Sequence, residues 1–154
     1  MKEIRIILHN IRSSLNVGAI FRTADGAGVK HIYLTGYTPT PIDRFGRNEA
    51  SLTKTSLGAE NLVPWEKADI KEVPKSLKME KYYIVGVEQT EKSINYKDLN
   101  PKNKTVFIFG NEVGGIDEEI LKSCDEIIQI PMAGGKESLN VSVAAGIILF
   151  NYLN

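Results

Sequence analysis

Apolar runs of strand length alternate with segments of helical period along the whole chain, and that order leaves few folds open. Ile4 to Leu8, His31 to Thr35, Tyr82 to Val87, Thr105 to Phe109 and Glu126 to Ile130 read as strands. Between the first two, Val17, Ile20, Phe21, Ala24 and Ala27 fall at helical spacing, with Asn16 the expected N-cap and Gly28 the expected stop. Strands separated by helices pair in parallel, so the expected fold class is α/β, built on a mostly parallel sheet. Asp69 to Met79 is weakly helical, with Pro74 either a kink or a first-turn residue. Residues 37–49, with Pro39, Pro41, Gly46 and two arginines, read as an exposed connection. The last helix, from about Leu139 to Leu153, is apolar on nearly every side and needs cover from the domain, a second subunit, or both.

A chain of 154 residues with 42% hydrophobic residues suits one well-buried domain, taken as 1–154. Nineteen basic residues against nineteen acidic ones argue against a surface that attracts polyanions everywhere. Residues 1–60 hold eight Lys/Arg against five Asp/Glu, so a polyanion should meet this half, through Arg12, Arg22, Lys30, Arg44, Arg47 and Lys54. An excess of three is also what an ordinary solvated surface carries. A single cysteine, Cys124, and only two histidines, His9 and His31, exclude a disulfide framework and a Cys/His metal centre. No apolar run reaches the roughly 20 residues of a membrane span. A cytoplasmic, metal-free protein without membrane association is the expectation.

Three stretches carry polar residues where chemistry is plausible. Ile130 to Ala144 places Glu137, Ser138 and Asn140 between two segments that read as buried, where polar groups need partners or a task, unless Ser138 and Asn140 are helix caps. Phe107 to Ile116 runs a strand into a glycine-rich turn, a place where backbone approaches a ligand closely or merely turns tightly. Asn16 to Asp25 offers Asn16 and Arg22, a cap and a surface arginine or a phosphate grip. No dinucleotide fingerprint or phosphate loop is present.

Taken together and in order, Asn16-Val17-Gly18 with Arg22-Thr23-Ala24, Phe109-Gly110-Asn111-Glu112 with Gly115, and Ile130-Pro131-Met132 with Gly134 and Ser138 to Ala144 resemble the three motifs of the SpoU/TrmH group of SPOUT RNA ribose methyltransferases. The resemblance spans nearly the whole chain. It implies a sheet whose C-terminal segment forms a deep trefoil knot, a rare exception to unknotted topology. It implies S-adenosylmethionine held near Val87, Gly110, Ile130, Met132 and Leu139. It further implies a homodimer and methyl transfer to a ribose 2'-hydroxyl of tRNA or rRNA, without metal.

By the same resemblance Arg22 is the catalytic arginine, supplied beside the other subunit's cofactor, while Asn16, Glu112, Ser138 and Asn140 orient it and the ribose. Glu112 is the expected partner for a cation. A guanidinium has a pKa above about 12 and no acceptor atom, so its secure role is electrostatic. RNA would meet Arg12, Arg22, Arg44, Arg47 and Lys54. A single domain without the separate RNA-binding extensions of larger members is the expectation. The run Gly86 to Thr90 with Ser93 resembles the subgroup acting on the D-loop guanosine of tRNA. Ribosomal RNA and the tRNA wobble position stay open. The alternatives are a knotted module that has lost catalysis and a methyltransferase on a non-RNA substrate.

Overall fold

A computed structural model describes residues 1–100 and 102–154. The strands are β1 (Glu3–His9), β2 (His31–Thr35), β3 (Trp65–Ala68), β4 (Tyr83–Val87), β5 (Ile94–Asn95), β6 (Lys104–Phe109) and β7 (Glu126–Gln129). The α-helices are α1 (Ser14–Ala27), α2 (Ala50–Ser56), α3 (Val73–Met79), α4 (Glu118–Lys122) and α5 (Val141–Leu153). The strands form one sheet in the order β3-β2-β1-β6-β4-β7-β5, and every pairing is parallel.

Alternation along each strand sends side chains to two cores. Ile4, Ile6, Leu8, Phe107 and Phe109 join α1 and α5 on one face. Ile7, Val106 and Ile108 join Val73 and Leu77 of α3 and Leu121 of α4 on the other. The neighbouring strands β1 and β6 therefore send their following helices to opposite faces. Such a switch opens a crevice at the carboxyl ends of the strands, where ligands of open α/β sheets bind.

Helix α1 starts one turn earlier than its apolar spacing predicts. Ser13, not Asn16, is the N-cap, its hydroxyl accepting from the Asn16 N–H at 3.1 Å. Gly28 ends the helix as expected, at φ 73°. Pro74 lies in the first turn of α3, where a missing N–H costs nothing. Residues 37–49 are a connection with one bridge, Ile42 to Asn48, but α2 follows it where sequence periodicity gave no helix.

Helix α5 resolves the question of cover. Val141, Ala145, Ile148, Leu149 and Tyr152 are buried within the chain, whereas Val143, Phe150 and Leu153 remain exposed. Gly146 faces Thr23 of α1 and Gly26 faces Phe150, so small residues set the α1–α5 approach inside one chain. No helix among the described residues is long and apolar enough to cross a membrane.

Gly18 sets the other close approach. A Cβ there would collide with the Leu52 carbonyl oxygen and the Thr55 hydroxyl of α2, and that hydroxyl already donates to the Leu15 carbonyl at 2.8 Å. Gly18→Ala should therefore push α2 off α1 and cost about 1–3 kcal/mol. Thermal unfolding should show a fall of roughly 2–4 °C per kcal/mol for a chain of this size. An unchanged melting temperature would mean that α2 gives way without strain.

Candidate active site

The loops after β4, β6 and β7 and the first turn of α5 enclose a cavity of about 280 Å³. Val87, Gly110, Ile130 and Leu139, four of the five residues expected to hold a cofactor, lie on its wall. Met132 is half-buried and does not line it. Phe109, Val141 and Ala144 add apolar surface, and Glu88, Gln129 and Glu137 add polar groups.

The glycine-rich turn after β6 is clamped by its own side chains and by a neighbouring loop. Asn111 and Gly115 exchange backbone hydrogen bonds at 3.2 and 2.9 Å. The Asn111 Oδ1 accepts from the N–H groups of Val113 and Gly114 at 2.8 and 2.7 Å, and its Nδ2 donates to the Asn10 carbonyl at 2.9 Å. From the β4 side, the Glu88 carboxylate accepts the Ile116 N–H at 2.8 Å and lies where a Cβ on Gly115 would be. Gly115 has φ 69°, so it supplies both a left-handed conformation and the space for that carboxylate. Gly110 has a related task. A Cβ on it would meet Ile116 at 2.5 Å and the Gly115 carbonyl oxygen at 2.8 Å, so this glycine is required by the turn itself.

Glu112 ties the turn to the start of α1. Its carboxylate accepts the N–H groups of Arg12 and Ser13 at 3.1 and 3.2 Å and the Asn16 side-chain amide at 3.5 Å. The Asn16 Oδ1 in turn accepts from the Asn140 Nδ2 at 3.2 Å. Asn140 caps α5, its Oδ1 accepting from the Ser142 N–H at 2.9 Å. Three of the expected catalytic residues thus form one chain of contacts. Glu112 meets N–H donors here, not the cation expected for it. Burial raises its carboxyl pKa, but the donors of Arg12, its own backbone, Ser13 and Asn16 outweigh that, and the value lies below the ordinary 4.5.

Glu137, Ser138 and Asn140 are solvent-exposed, contrary to the buried setting expected of them. The segment between β7 and α5 runs over the cavity instead of through the core, and Ser138 lies on the cavity wall without a side-chain hydrogen bond among the described residues. Arg22 stands apart. It is exposed in a groove of about 640 Å³ with Lys54, Leu57 and Phe150, sharing no wall residue with the cofactor-sized cavity. Among the described residues its guanidinium makes no hydrogen bond or ion pair with Asn16, Glu112 or Asn140. Arg44 and Arg47 flank Phe45, each guanidinium 4.9 Å from its ring centre, on the loop before α2. Arg12 opens onto the far side of the Asn111–Glu112 turn. Sequence reasoning gave no role to Glu88, Asn111 or Tyr37. Asn111 stood in the second motif and Glu88 in the Gly86 to Thr90 run, but neither was given a structural task, and nothing local marked Tyr37.

Known proteins resemble this chain in sequence and in fold. The family model described as the SpoU rRNA methylase family matches residues 3–150. A tRNA (guanosine(18)-2'-O)-methyltransferase of Aquifex aeolicus is 34% identical over 151 residues, 97% of this chain and 68% of that protein. The 23S rRNA (guanosine-2'-O-)-methyltransferase RlmB of Salmonella typhi is also 34% identical, over 94% of this chain and 57% of its own length. Among solved structures, an AdoMet-bound rRNA methyltransferase from Sinorhizobium meliloti superposes with a TM-score of 0.89 at 27% identity, covering 97% of this chain and 55% of that one. The chain thus spans little more than half of the last two proteins.

The depressed Glu112 pKa gives a signed expectation. Its stabilising contribution is present above the pKa of an unfolded glutamate and is lost as pH falls through the lower folded value. Glu112→Gln turns an amide N–H₂ toward N–H donors, so the variant should melt below wild type at neutral pH. The gap should close as pH falls below 4.5, the ordinary glutamate value. A gap that stays constant across that range would show that the charge of Glu112 does not hold the turn.

Proposed function

Because the chain belongs to the SpoU rRNA methylase family, we propose that it transfers the methyl group of S-adenosylmethionine to a ribose 2'-hydroxyl of tRNA or rRNA. The observation that carries this is the Glu112–Asn16–Asn140 chain beside the cavity lined by Val87, Gly110, Ile130 and Leu139. Its volume, about 280 Å³, lies just below the roughly 300–1,000 Å³ of small-molecule sites. Apolar walls from Phe109, Ile130, Leu139 and Ala144 suit a purine ring, and the open polar side with Gln129 and Glu137 suits a charged tail. Bound there, the cofactor supplies an electrophilic methyl on a cationic sulfur. Transfer then depends on in-line positioning more than on covalent chemistry of the protein. Met132 belongs to the same proposal, through its backbone in the segment that covers the cavity. The trefoil knot does too: Ile130 and residues 137–139 line the same cavity as residues 87–89 and 109–113, and α5 then packs back on α1, an arrangement that suits a knotted C-terminal segment.

Arg22 completes the site only if a second copy supplies it. Val143, Phe150 and Leu153 leave an apolar stripe on α5, and Phe150 also walls the groove that holds Arg22 and Lys54. A homodimer through this stripe buries it and carries Arg22 toward the partner's cavity. There the guanidinium binds phosphate and stabilises the developing 2'-alkoxide. Asn16 and Asn140 orient the ribose, Glu112 holds both loops in register, and Ser138 contributes a hydroxyl at the rim. Arg12, Arg44, Arg47 and Lys54 meet RNA phosphates. The work belongs in the cytoplasm, where tRNA and rRNA substrates are found.

The choice of RNA rests on less. The tRNA and rRNA relatives are equally similar, at 34% identity each. The run that favours the D-loop guanosine of tRNA is occupied in its own loop: Glu88 holds the β6 turn, and the Ser93 hydroxyl accepts from the Thr90 N–H at 2.9 Å. Mass spectrometry of ribose-methylated nucleosides in RNA from cells with and without the protein identifies the target. On that RNA, single-turnover methylation by Arg22→Ala should fall by roughly a hundred- to a thousandfold. Cofactor affinity by titration calorimetry and the melting temperature should stay near wild type, since Arg22 is exposed, lies outside the core and lines no wall of the cavity in its own chain. Arg22→Lys should rescue little, because an ammonium lacks the planar fork. Rates within a few-fold of wild type for Arg22→Ala would remove it from catalysis.

A further inference from the structure

A second cavity, of about 410 Å³, lies against the far side of the Asn111–Gly114 turn and is walled by Arg12, Ser13, Tyr37, Asn111, Glu112, Val113 and Gly114. Asn111, Glu112 and Val113 also wall the cofactor cavity, so the two spaces are separated by a single turn of chain. We propose that this second cavity receives one unpaired nucleotide of the RNA, its base stacked on the Tyr37 ring and its phosphate held by the Arg12 guanidinium. The proposal rests on RNA being the substrate and assigns residues that the methyl-transfer chemistry does not require.

Tyr37 is ordered without being packed. The residue is 55% exposed, yet both of its ends are fixed. The Tyr37 N–H donates to the Asn10 Oδ1 at 3.1 Å, and the phenol oxygen accepts from the Asn111 Nδ2 at 2.5 Å. The direction of that last bond is set by the turn, because the Asn111 Oδ1 is committed to the N–H groups of Val113 and Gly114. The phenol therefore keeps its own proton to donate into the cavity. An aromatic face held in water beside a cation is what a splayed-out base stacks on, since every base has a π-face and a neighbouring phosphate. Arg12 supplies the cation. It is exposed, its backbone is fixed by Glu112, and among the described residues its guanidinium forms no ion pair. Because the base site and the cofactor cavity share the Asn111–Val113 wall, a nucleotide seated on Tyr37 brings its ribose next to Asn16 and Glu112. A space of this size admits a single flipped-out nucleotide and excludes a duplex.

The probe is 2-aminopurine riboside 5'-monophosphate, whose fluorescence is quenched when its ring stacks, titrated into the full chain. Wild type and Tyr37→Phe should quench it with affinities within a few-fold of each other. Tyr37→Ala should bind roughly 10- to 100-fold more weakly, the loss expected when one base loses its aromatic platform. Arg12→Gln should weaken the monophosphate but leave the unphosphorylated riboside unchanged. Quenching by Tyr37→Ala with wild-type affinity, a Tyr37→Phe loss as large as that of Tyr37→Ala, or no quenching by wild type overturns the assignment. Methylation of bulk tRNA and rRNA is measured beside it. Absence of methylation with quenching intact strikes the proposed activity and leaves the nucleotide cavity standing.

Discussion

The turn from Gly110 to Ile116 holds the site together, and two carboxylates hold the turn. Glu88 reaches it from the loop after β4, and Glu112 ties it to the first residues of α1. Both act by accepting backbone N–H groups that a tight turn and a helix start leave without partners. Asn111 closes the turn from within and fastens it to Asn10 beyond β1. One wall of this turn faces the cofactor cavity and the other faces Tyr37 and Arg12, so its position sets the geometry of both spaces. The sheet makes this arrangement possible, because β1 and β6 are neighbours whose helices leave to opposite faces and whose loops therefore part at the crevice.

Charge is placed economically around that crevice. The site within one chain is acidic and amide-rich, with Glu88, Glu112, Asn16 and Asn140, whereas the cations Arg22 and Lys54 sit in a groove beside the exposed stripe of α5. A guanidinium inside the single-chain site would compete with the N–H donors that Glu112 now accepts. In the proposed homodimer, Arg22 comes from a second copy, which leaves the turn's hydrogen bonds intact and brings the charge only where two copies meet. Val143, Phe150 and Leu153 leave an exposed apolar stripe on α5, the surface on which that proposal rests.

The five apolar strands, the amphipathic helix ending at Gly28 and the exposed 37–49 connection were legible in the sequence, because each is specified by local period or by turn residues. Strand β3 was not. It is an edge strand carrying Glu66 and Lys67 in the solvent, so it lacks the apolar run of a core strand. Strand β5 is two residues long, and α2 buries only Leu52 and Ser56, too little to produce a period. The helix start was misplaced because Ser13, Ser14 and Asn16 are all capping types, and the choice among them depends on Glu112 binding the N–H groups of Arg12 and Ser13. The contacts of Asn16 with Glu112 and Asn140 span 96 and 124 residues and could be anticipated only from the resemblance to known motifs. Glu88 stood in a recognised run, but its hold on the Ile116 N–H, like the contact of Tyr37 with Asn111, joins loops that meet only in the folded sheet.

The central claim is that the loops after β4, β6 and β7 form one ligand site governed by the 110–116 turn. Amide hydrogen exchange with and without S-adenosylmethionine measures this directly. Protection should rise together in residues 87–90, 110–116 and 130–144, and residues 42–49 and α3 should be unaffected. Protection confined to other segments, or exchange unchanged at saturating cofactor, would contradict the account.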